Sequence, residues 1–418
     1  MELKRVVVTG LGAVTPVGNN VSDFWNSLLE GKSGAKPITY FDASKHKTQF
    51  ACEVKGFNVE DHFDRKEARK LDRFSQYGIV ASREAIKDAC IDKEKEDLSR
   101  IGVIVGVGIG GLPAYEEGVS EFYRGDGTPR LNPFLIPKFI GSILGGNISI
   151  ENGFAGPCFV CTAACSSSNN AISEAFNTIR LGKADIIVTG GAEAPLTPCS
   201  IGAFNSMHAL STRNDSPETA SRPFSKSRDG FVFGEGAACL ILEELEHALK
   251  RGAKIYAEVA GEGASADAHH LTASHPEGAG AILSMKSALD DAGMKPSDID
   301  YINAHGTSTP VGDVSEVKAI KAVFGDDAYK LNISSTKSVT GHLLGAAGAI
   351  EAVACVKSIE TDTVPPTINF TGEEDENIDY KLNFTFGKPQ KRVVRAAMSN
   401  TFGFGGMNST LIMKKFSK

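Results

Sequence analysis

The feature that most restricts how this chain can fold is a short apolar run leading into glycine, repeated along the sequence and alternating with helical periods. Arg5-Val6-Val7-Val8-Thr9-Gly10, Ile101-Gly102-Val103-Ile104-Val105-Gly106 and Ala184-Asp185-Ile186-Ile187-Val188-Thr189-Gly190 all have this form. Runs this short and this rich in β-branched residues read as strands covered on both faces. Phe24, Trp25, Leu28 and Leu29 recur at helical spacing before Gly31, and Ala171, Ile172, Ala175, Phe176 and Ile179 do so before Gly182. Strand and helix in alternation predict an α/β fold with mainly parallel sheets. The segment Val259-Ala260-Gly261-Glu262-Gly263-Ala264 echoes Val8-Thr9-Gly10-Leu11-Gly12-Ala13. We therefore expect two lobes of similar build, residues 1–252 and 253–418, divided after the charged helix that Gly252 ends.

The stretch from Phe159 to Gly182 carries the first chemical group. An extended run, Phe159-Val160-Cys161, turns through small residues to Cys165, and the helix follows. At a helix start the unpaired backbone N–H groups and the positive dipole end favour a thiolate over a thiol. Small neighbours leave room for a carbonyl beside the sulfur. Cys165 is expected to be a nucleophile that carries an acyl group as a thioester. The ordinary alternative is a small buried apolar residue. Cys158, Cys161 and Cys165 also invite a metal reading, but no second cysteine pair or nearby histidine completes a tetrahedral set. Cys52, Cys90, Cys199, Cys239 and Cys355 fall in apolar stretches and read as core.

Gly106-Val107-Gly108-Ile109-Gly110-Gly111 satisfies G-x-G-x-x-G. A nucleotide site also wants a helix opening at the third glycine, and here Leu112-Pro113 and a polar stretch follow. Close approach of backbone to a ligand chain is the better reading. Residues Ser211 to Asp229 are polar and turn-rich, an excursion over the surface.

The second half supplies further groups. Tyr301-Ile302-Asn303-Ala304 is a short strand that delivers His305-Gly306-Thr307-Ser308-Thr309-Pro310 to a loop, and Asp313 with Glu316 suggests a capping box for the next helix. After the strand Ile333-Ser334-Ser335-Thr336 comes Lys337, and Gly341-His342 is expected to open an Ala/Gly-rich helix containing Glu351. An imidazole at a helix start is held neutral and can donate a hydrogen bond. Lys337 and Glu351 suit a buried pair. Near the C-terminus, Asn400-Thr401-Phe402-Gly403-Phe404-Gly405-Gly406 sets an aromatic among glycines, a loop able to move a plug and to offer N–H groups to an oxyanion.

Taken together, TAACSSS around Cys165, NAHGTSTPVGD around His305, KSVTGHLLGAAG around Lys337 and His342, and FGFGG around Phe404 resemble the β-ketoacyl-[acyl-carrier-protein] synthases of bacterial type II pathways, within the thiolase-fold condensing enzymes and most like their synthase II branch. The likeness covers essentially the whole chain. It implies a five-layered αβαβα pair of lobes, a homodimer, and acyl carrier protein bearing acyl and malonyl thioesters as partner. By the same resemblance Cys165 takes the acyl chain, while His305 and His342 hold the malonyl carbonyl and promote decarboxylation. Lys337 and Glu351 set the charge around them. The N–H groups of Cys165 and Phe404 form the oxyanion hole, Phe404 gates the acyl pocket, Ile109 lines the channel, and Thr307, Thr309, Phe402 and Gly403 contact substrate. Lys66, Arg69 and Lys70, within a basic cluster that also holds Arg65 and Arg73, fall where the family docks its acidic carrier. Two positions depart from the family: Met407 in place of the threonine of GGTN, and His208 where an arginine is common.

A Claisen condensation of this kind needs no metal or redox cofactor, because loss of carbon dioxide makes the carbanion. The remaining composition agrees. A net charge of −7 argues against general nucleic-acid binding. No run of 18 apolar residues suggests a membrane span, Met1 to Arg5 lead directly into a strand, and scattered cysteines fit a reducing cytoplasm. A thiolase acting on coenzyme A would want a second cysteine near the C-terminal glycines, where Phe404 stands. A non-catalytic chain-length partner would lack Cys165.

Overall fold

The computed structural model describes residues 3–417. Ten strands form one sheet: β1 (Val6–Val14), β2 (Ile101–Gly106), β3 (Cys158–Cys161), β4 (Ile186–Glu193), β5 (Gly236–Glu244), β6 (Ala257–Ala266), β7 (Tyr301–Asn303), β8 (Asn332–Ser334), β9 (Ala396–Gly403) and β10 (Met407–Lys414). Their spatial order is β8-β7-β9-β10-β6-β1-β5-β4-β2-β3. Each half repeats one scheme, in which the first strand pairs antiparallel with the fifth, the fifth antiparallel with the fourth, and the fourth, second and third are parallel. Four strands of each five therefore point one way, and β5 and β10 run against them.

The halves share an edge. Val6, Val7 and Val8 of β1 pair antiparallel with Val259, Glu258 and Ala257 of β6. Between the two half-sheets lies a central layer of α3 (Ser167–Arg180) and α6 (Ala347–Thr361), which touch each other. Outside the first half pack α1 (Arg73–Asp88) and α2 (Ile143–Asn152), and outside the second α4 (Ala279–Ala292) and α5 (Pro310–Phe324). The result is five layers. Apolar faces explain them: Ala171, Ile172, Ala175, Phe176 and Ile179 of α3 join Ile350, Val353 and Val356 of α6 in the central core.

Glycine does not end the first strand. β1 runs on through Gly10 and Gly12, because α1 lies so close that a Cβ at these positions would sit 2.3 Å from the Ala85 carbonyl and 2.0 Å from that of Ala81. The excursion from Ser211 to Asp229 is only partly superficial. Its portion from Ala220 to Ser225 is buried, with the Phe224 N–H donating to Asp313 (2.8 Å) and Arg228 paired with Asp313 and Asp375. Among the described residues no helix is long and apolar enough to cross a membrane.

Candidate active site

β3 ends at Cys161, and a tight turn brings the chain to α3. Ala164 takes a left-handed conformation (φ 48°), a strain of about 1–2 kcal/mol for a residue with a Cβ. The Ser167 hydroxyl closes the turn by accepting from the Ala163 N–H (2.9 Å) and donating to the Ala164 carbonyl (2.7 Å). Cys165 is thereby lifted just before Ser166, the N-cap. The second half meets it there: Ser166 Oγ donates to the Met407 carbonyl (2.7 Å), and a Cβ on Gly403 would lie 2.9 Å from the Ala163 carbonyl and 3.2 Å from the Cys165 nitrogen.

The sulfur is not the resting thiolate expected of a helix start. Burial pushes the Cys165 thiol up to about 11, overcoming the N–H groups of Phe404 and of Cys165 itself and the nearby Lys337 charge. Desolvation of a charge in a water-poor site outweighs the helix dipole. The N–H contacts themselves come from the two residues expected to form an oxyanion hole.

A cavity of about 470 Å³ joins Cys165 to His305, His342, Phe402, Gly403 and Phe404. The two imidazoles meet edge to face, ring centres 5.3 Å apart, and His305 lies 5.6 Å from the Phe402 ring. Both are held well below the ordinary histidine range, by burial first and by Lys337 second, with His342 also acting on His305. His342 is thus neutral for a reason other than a helix start: α6 opens only at Ala347, after a single turn Leu344–Ala346. Lys337 and Glu351 form a buried ion pair, and burial raises the Glu351 carboxyl to about 7 against the pull of the ammonium.

Asp313 and Glu316 form no capping box. Thr309 caps α5 without a side-chain bond, and both carboxylates turn back onto the preceding loop. Glu316 accepts the N–H groups of His305 (2.8 Å) and Gly306 (2.7 Å), and Asp313 accepts those of Ser308 (3.1 Å) and Phe224. Glu316 therefore positions His305, a role that an acid eleven residues later in sequence does not announce. Glu193 was equally silent, although an acid straight after Gly190-Gly191-Ala192 at a buried strand end is a usable signal.

Ile109, Thr307 and Thr309 line the same cavity, and the two threonine hydroxyls lie 3.0 Å apart. The Phe404 ring stacks on Phe204 at 6.3 Å. His208 lies exposed at the mouth in a left-handed conformation (φ 53°), and Met407, also exposed, begins β10. Lys66, Arg69 and Lys70 are exposed and, among the described residues, make no ion pair. Arg73 leaves that cluster, half-buried over the Tyr40 ring (3.8 Å) and paired with Glu235.

The glycine loop after β2 does precede a helix, Leu112–Arg124, contrary to expectation, but the N–H groups of Gly108, Ile109 and Gly110 are taken by the Glu193 carboxylate. Cys52, Cys239 and Cys355 are core, whereas Cys90 and Cys199 are exposed, the first just past a helix end and the second in a helix's first turn. Among the described residues no three His, Cys, Asp or Glu side chains group to hold a metal ion.

Residues 3–248 match the description "Beta-ketoacyl synthase, N-terminal domain", and residues 256–371 match "Beta-ketoacyl synthase, C-terminal domain". The chain is 48% identical over 413 residues to 3-oxoacyl-[acyl-carrier-protein] synthase 2 of Staphylococcus aureus (strain COL), covering 99% of each. It is 49% identical over 416 residues to the protein of that name from Synechocystis sp., covering 100% of this chain and 99% of the relative. Among solved structures it is similar to a β-ketoacyl synthase from Burkholderia phymatum STM815 (TM-score 0.90, 35% identity, 99% of this chain and 100% of that one). A type II PKS acyl-carrier protein in complex with its ketosynthase bound to the hexaketide is similar too (TM-score 0.91, 34% identity, 99% and 100%). Two half-sheets of one design, a thiol on a strained turn and paired neutral imidazoles agree with these likenesses, and the chain belongs to the β-ketoacyl synthase family.

Proposed function

We propose that this chain is a 3-oxoacyl-[acyl-carrier-protein] synthase that elongates fatty acyl chains, with Cys165 as nucleophile and His305 and His342 as the decarboxylating pair. The convergence of that thiol and both imidazoles on one cavity, with the Phe404 N–H at the sulfur, carries the reading. Identity near one half to synthase 2 proteins, against 34% to the polyketide ketosynthase, favours fatty-acid elongation over a specialised pathway.

Each step follows from the geometry. Because the thiol rests protonated, its proton leaves as sulfur attacks the acyl carrier thioester, and the neutral imidazoles lining the cavity are bases able to accept it. The N–H groups of Cys165 and Phe404 hold the oxyanion, the imidazole passes the proton on to the departing carrier sulfur, and a thioester remains on Cys165 with both imidazoles neutral again. Malonyl thioester then enters past Thr307 and Thr309. His305 and His342 donate to its carbonyl oxygen, so the electron pair released with carbon dioxide rests as an enolate. Charge-neutral donors suit this step, since they gain most where negative charge develops. The enolate carbon attacks the Cys165 thioester, and the same N–H pair holds the second oxyanion. Collapse breaks the bond to sulfur, freeing a 3-oxoacyl carrier product two carbons longer and a Cys165 thiolate that takes up a proton from solvent. Burial, helped by the Lys337 charge, keeps the imidazoles unprotonated, Glu351 pairs with that lysine, and Phe404 opens and closes the acyl channel.

Residues 1–252 supply the nucleophile and residues 253–418 the imidazoles. Lys66, Arg69 and Lys70 receive the acidic carrier. A second copy of the chain covers β3, whose outer edge has no strand beside it and whose Phe159 is 43% exposed. Tyr115, Phe134, Ile136 and Ile140, also exposed, lie in the segments leading to that strand. Carrier-borne substrates and free thiols support a cytoplasmic setting.

Intact-mass measurement after incubation with acyl carriers of graded length tests this. An acyl adduct on Cys165, consumed on addition of malonyl carrier, is the expected result. Absence of any adduct overturns it.

A further inference from the structure

Glu193 ends β4, is fully buried, and takes no part in the steps above. Its Oε2 accepts the N–H groups of Gly108 (2.8 Å), Ile109 (3.1 Å) and Gly345 (3.2 Å), and its Oε1 those of Ile109 (3.1 Å) and Gly110 (3.0 Å). Successive N–H groups converging on one acceptor make an anion nest. Here the anion is the protein's own. Burial raises the carboxyl to about 7 against these donors.

The fit is tight enough to dictate sequence. A Cβ added to Gly108 or to Gly345 would lie 2.5 Å from Oε2, and on Gly345 also 2.3 Å from the Gly108 nitrogen. Gly108 belongs to a loop of the first half and Gly345 to a loop of the second, so one carboxylate ties the two halves together away from the sheet. Beside these glycines stand Ile109 and Leu344, both lining the cavity next to Cys165, and Leu344 is held in a strained left-handed conformation (φ 46°).

We propose that Glu193 is a positioning residue for acyl-chain specificity: its carboxylate fixes Ile109 and Leu344 as walls of the acyl channel. The inference rests on the acyl-transfer reading above. Without the carboxylate, four N–H groups lose their acceptor, those of Gly110 and Gly345 fully buried, and both loops must rearrange. A long acyl chain meets those walls and has to order them itself, whereas a short chain ends before them. Malonyl decarboxylation, performed at the imidazoles, does not need the channel.

Glu193→Gln keeps the shape but turns an NH2 group toward backbone donors. Acylation of Cys165 is followed by intact mass with long and short acyl carriers, and malonyl decarboxylation is measured beside it. The expected outcome is a long-to-short rate ratio lower by at least about tenfold, with decarboxylation changed less than about threefold. An unchanged ratio in the folded variant overturns the proposal. Equal loss at every chain length, with decarboxylation falling alongside, overturns it too, by showing that Glu193 only supports the fold.

If the variant does not fold, the ratio is measured on the unaltered protein from about pH 8 to about pH 6. Protonation through about 7 removes acceptor capacity from the nest, so the ratio falls toward low pH. The Cys165 thiol, at about 11, and the two imidazoles, well below their usual range, stay constant over this interval. Glu316 and Glu351, each raised to about 7, titrate with Glu193, but both act at the imidazoles, so their effect is shared by every chain length and cancels in the ratio. A flat ratio overturns the proposal. Failure of the unaltered protein to acylate Cys165 at any length falls on the acyl-transfer reading, and this inference falls with it.

Discussion

In the first half of the molecule the loop after β2 is held by Glu193, reaching from the end of a neighbouring strand. In the second half the corresponding loop after β7 is held by Glu316, reaching back from the helix that follows. Both carboxylates are buried, both are raised to about 7 by that burial, and both are satisfied by consecutive backbone N–H groups. What they hold differs. The first loop presents Ile109 to the cavity, and the second presents His305 to it. The connections after the third strands diverge similarly: β3 passes to α3 through a tight turn that lifts one thiol, while β8 reaches α6 by a longer path that places Lys337 and His342. In the function proposed above, one strand scheme carries two chemistries through its loops, acyl holding on one side and enolate formation on the other.

Variants that separate the two chemistries test this division. Cys165→Ala should remove condensation altogether, a loss of more than about a thousandfold in turnover, while malonyl decarboxylation at the imidazoles remains measurable. His305→Ala should do the reverse. Carbon dioxide release is expected to fall by about a hundredfold or more, with the acyl adduct on Cys165 still formed by intact mass; equal loss of both would erase the division.

Glu316→Gln should reproduce the second result at lower cost, about tenfold to a hundredfold in decarboxylation, since it displaces His305 without removing it. Sharper still is the pH profile of Lys337→Met combined with Glu351→Gln. Lys337 pushes both imidazole pKa values down, so its removal raises them. Protonation then begins at a higher pH, and the acid limb of the decarboxylation profile moves upward. An unmoved limb would show that burial alone sets the pair. The smallest effect belongs to the surface: Lys66→Glu with Arg69→Glu should raise KM several-fold for carrier-bound substrate and leave a pantetheine mimic unaffected.

The sequence made the reacting groups legible because chemistry restricts them. Cys165, His305 and His342 stand at strand or helix boundaries, and the structure brings them to one cavity. Lys337 and Glu351 were readable as a pair because the first comes just after a buried strand and the second lies on an inward-facing Ala/Gly-rich helix. The carboxylates that position the loops were not. A buried acid bonded to distant backbone leaves no periodic trace, and Asp313 and Glu316 carry the local spacing of a helix cap while serving another loop. The protonation of Cys165 escaped for a related reason: helix position is written in sequence, but desolvation depends on what the other half lays over the turn. Gly10 and Gly12 misled about a strand's end because their reason is the backbone of α1, seventy residues on.

The seam at β1 and β6 has a mechanical consequence. Three residue pairs weld the halves into a continuous sheet, and Asn169 of α3 donates to the Ser409 carbonyl of β10 (3.2 Å) across the middle layer. Jaw-like bending of one half against the other would tear these bonds, so the body behaves as a single stiff block. In the function proposed above, admission and exit of a fatty chain then fall to the loops, and the turn after Phe404, where Gly405 and Gly406 both take positive φ, is built of residues that can change backbone conformation at little steric cost.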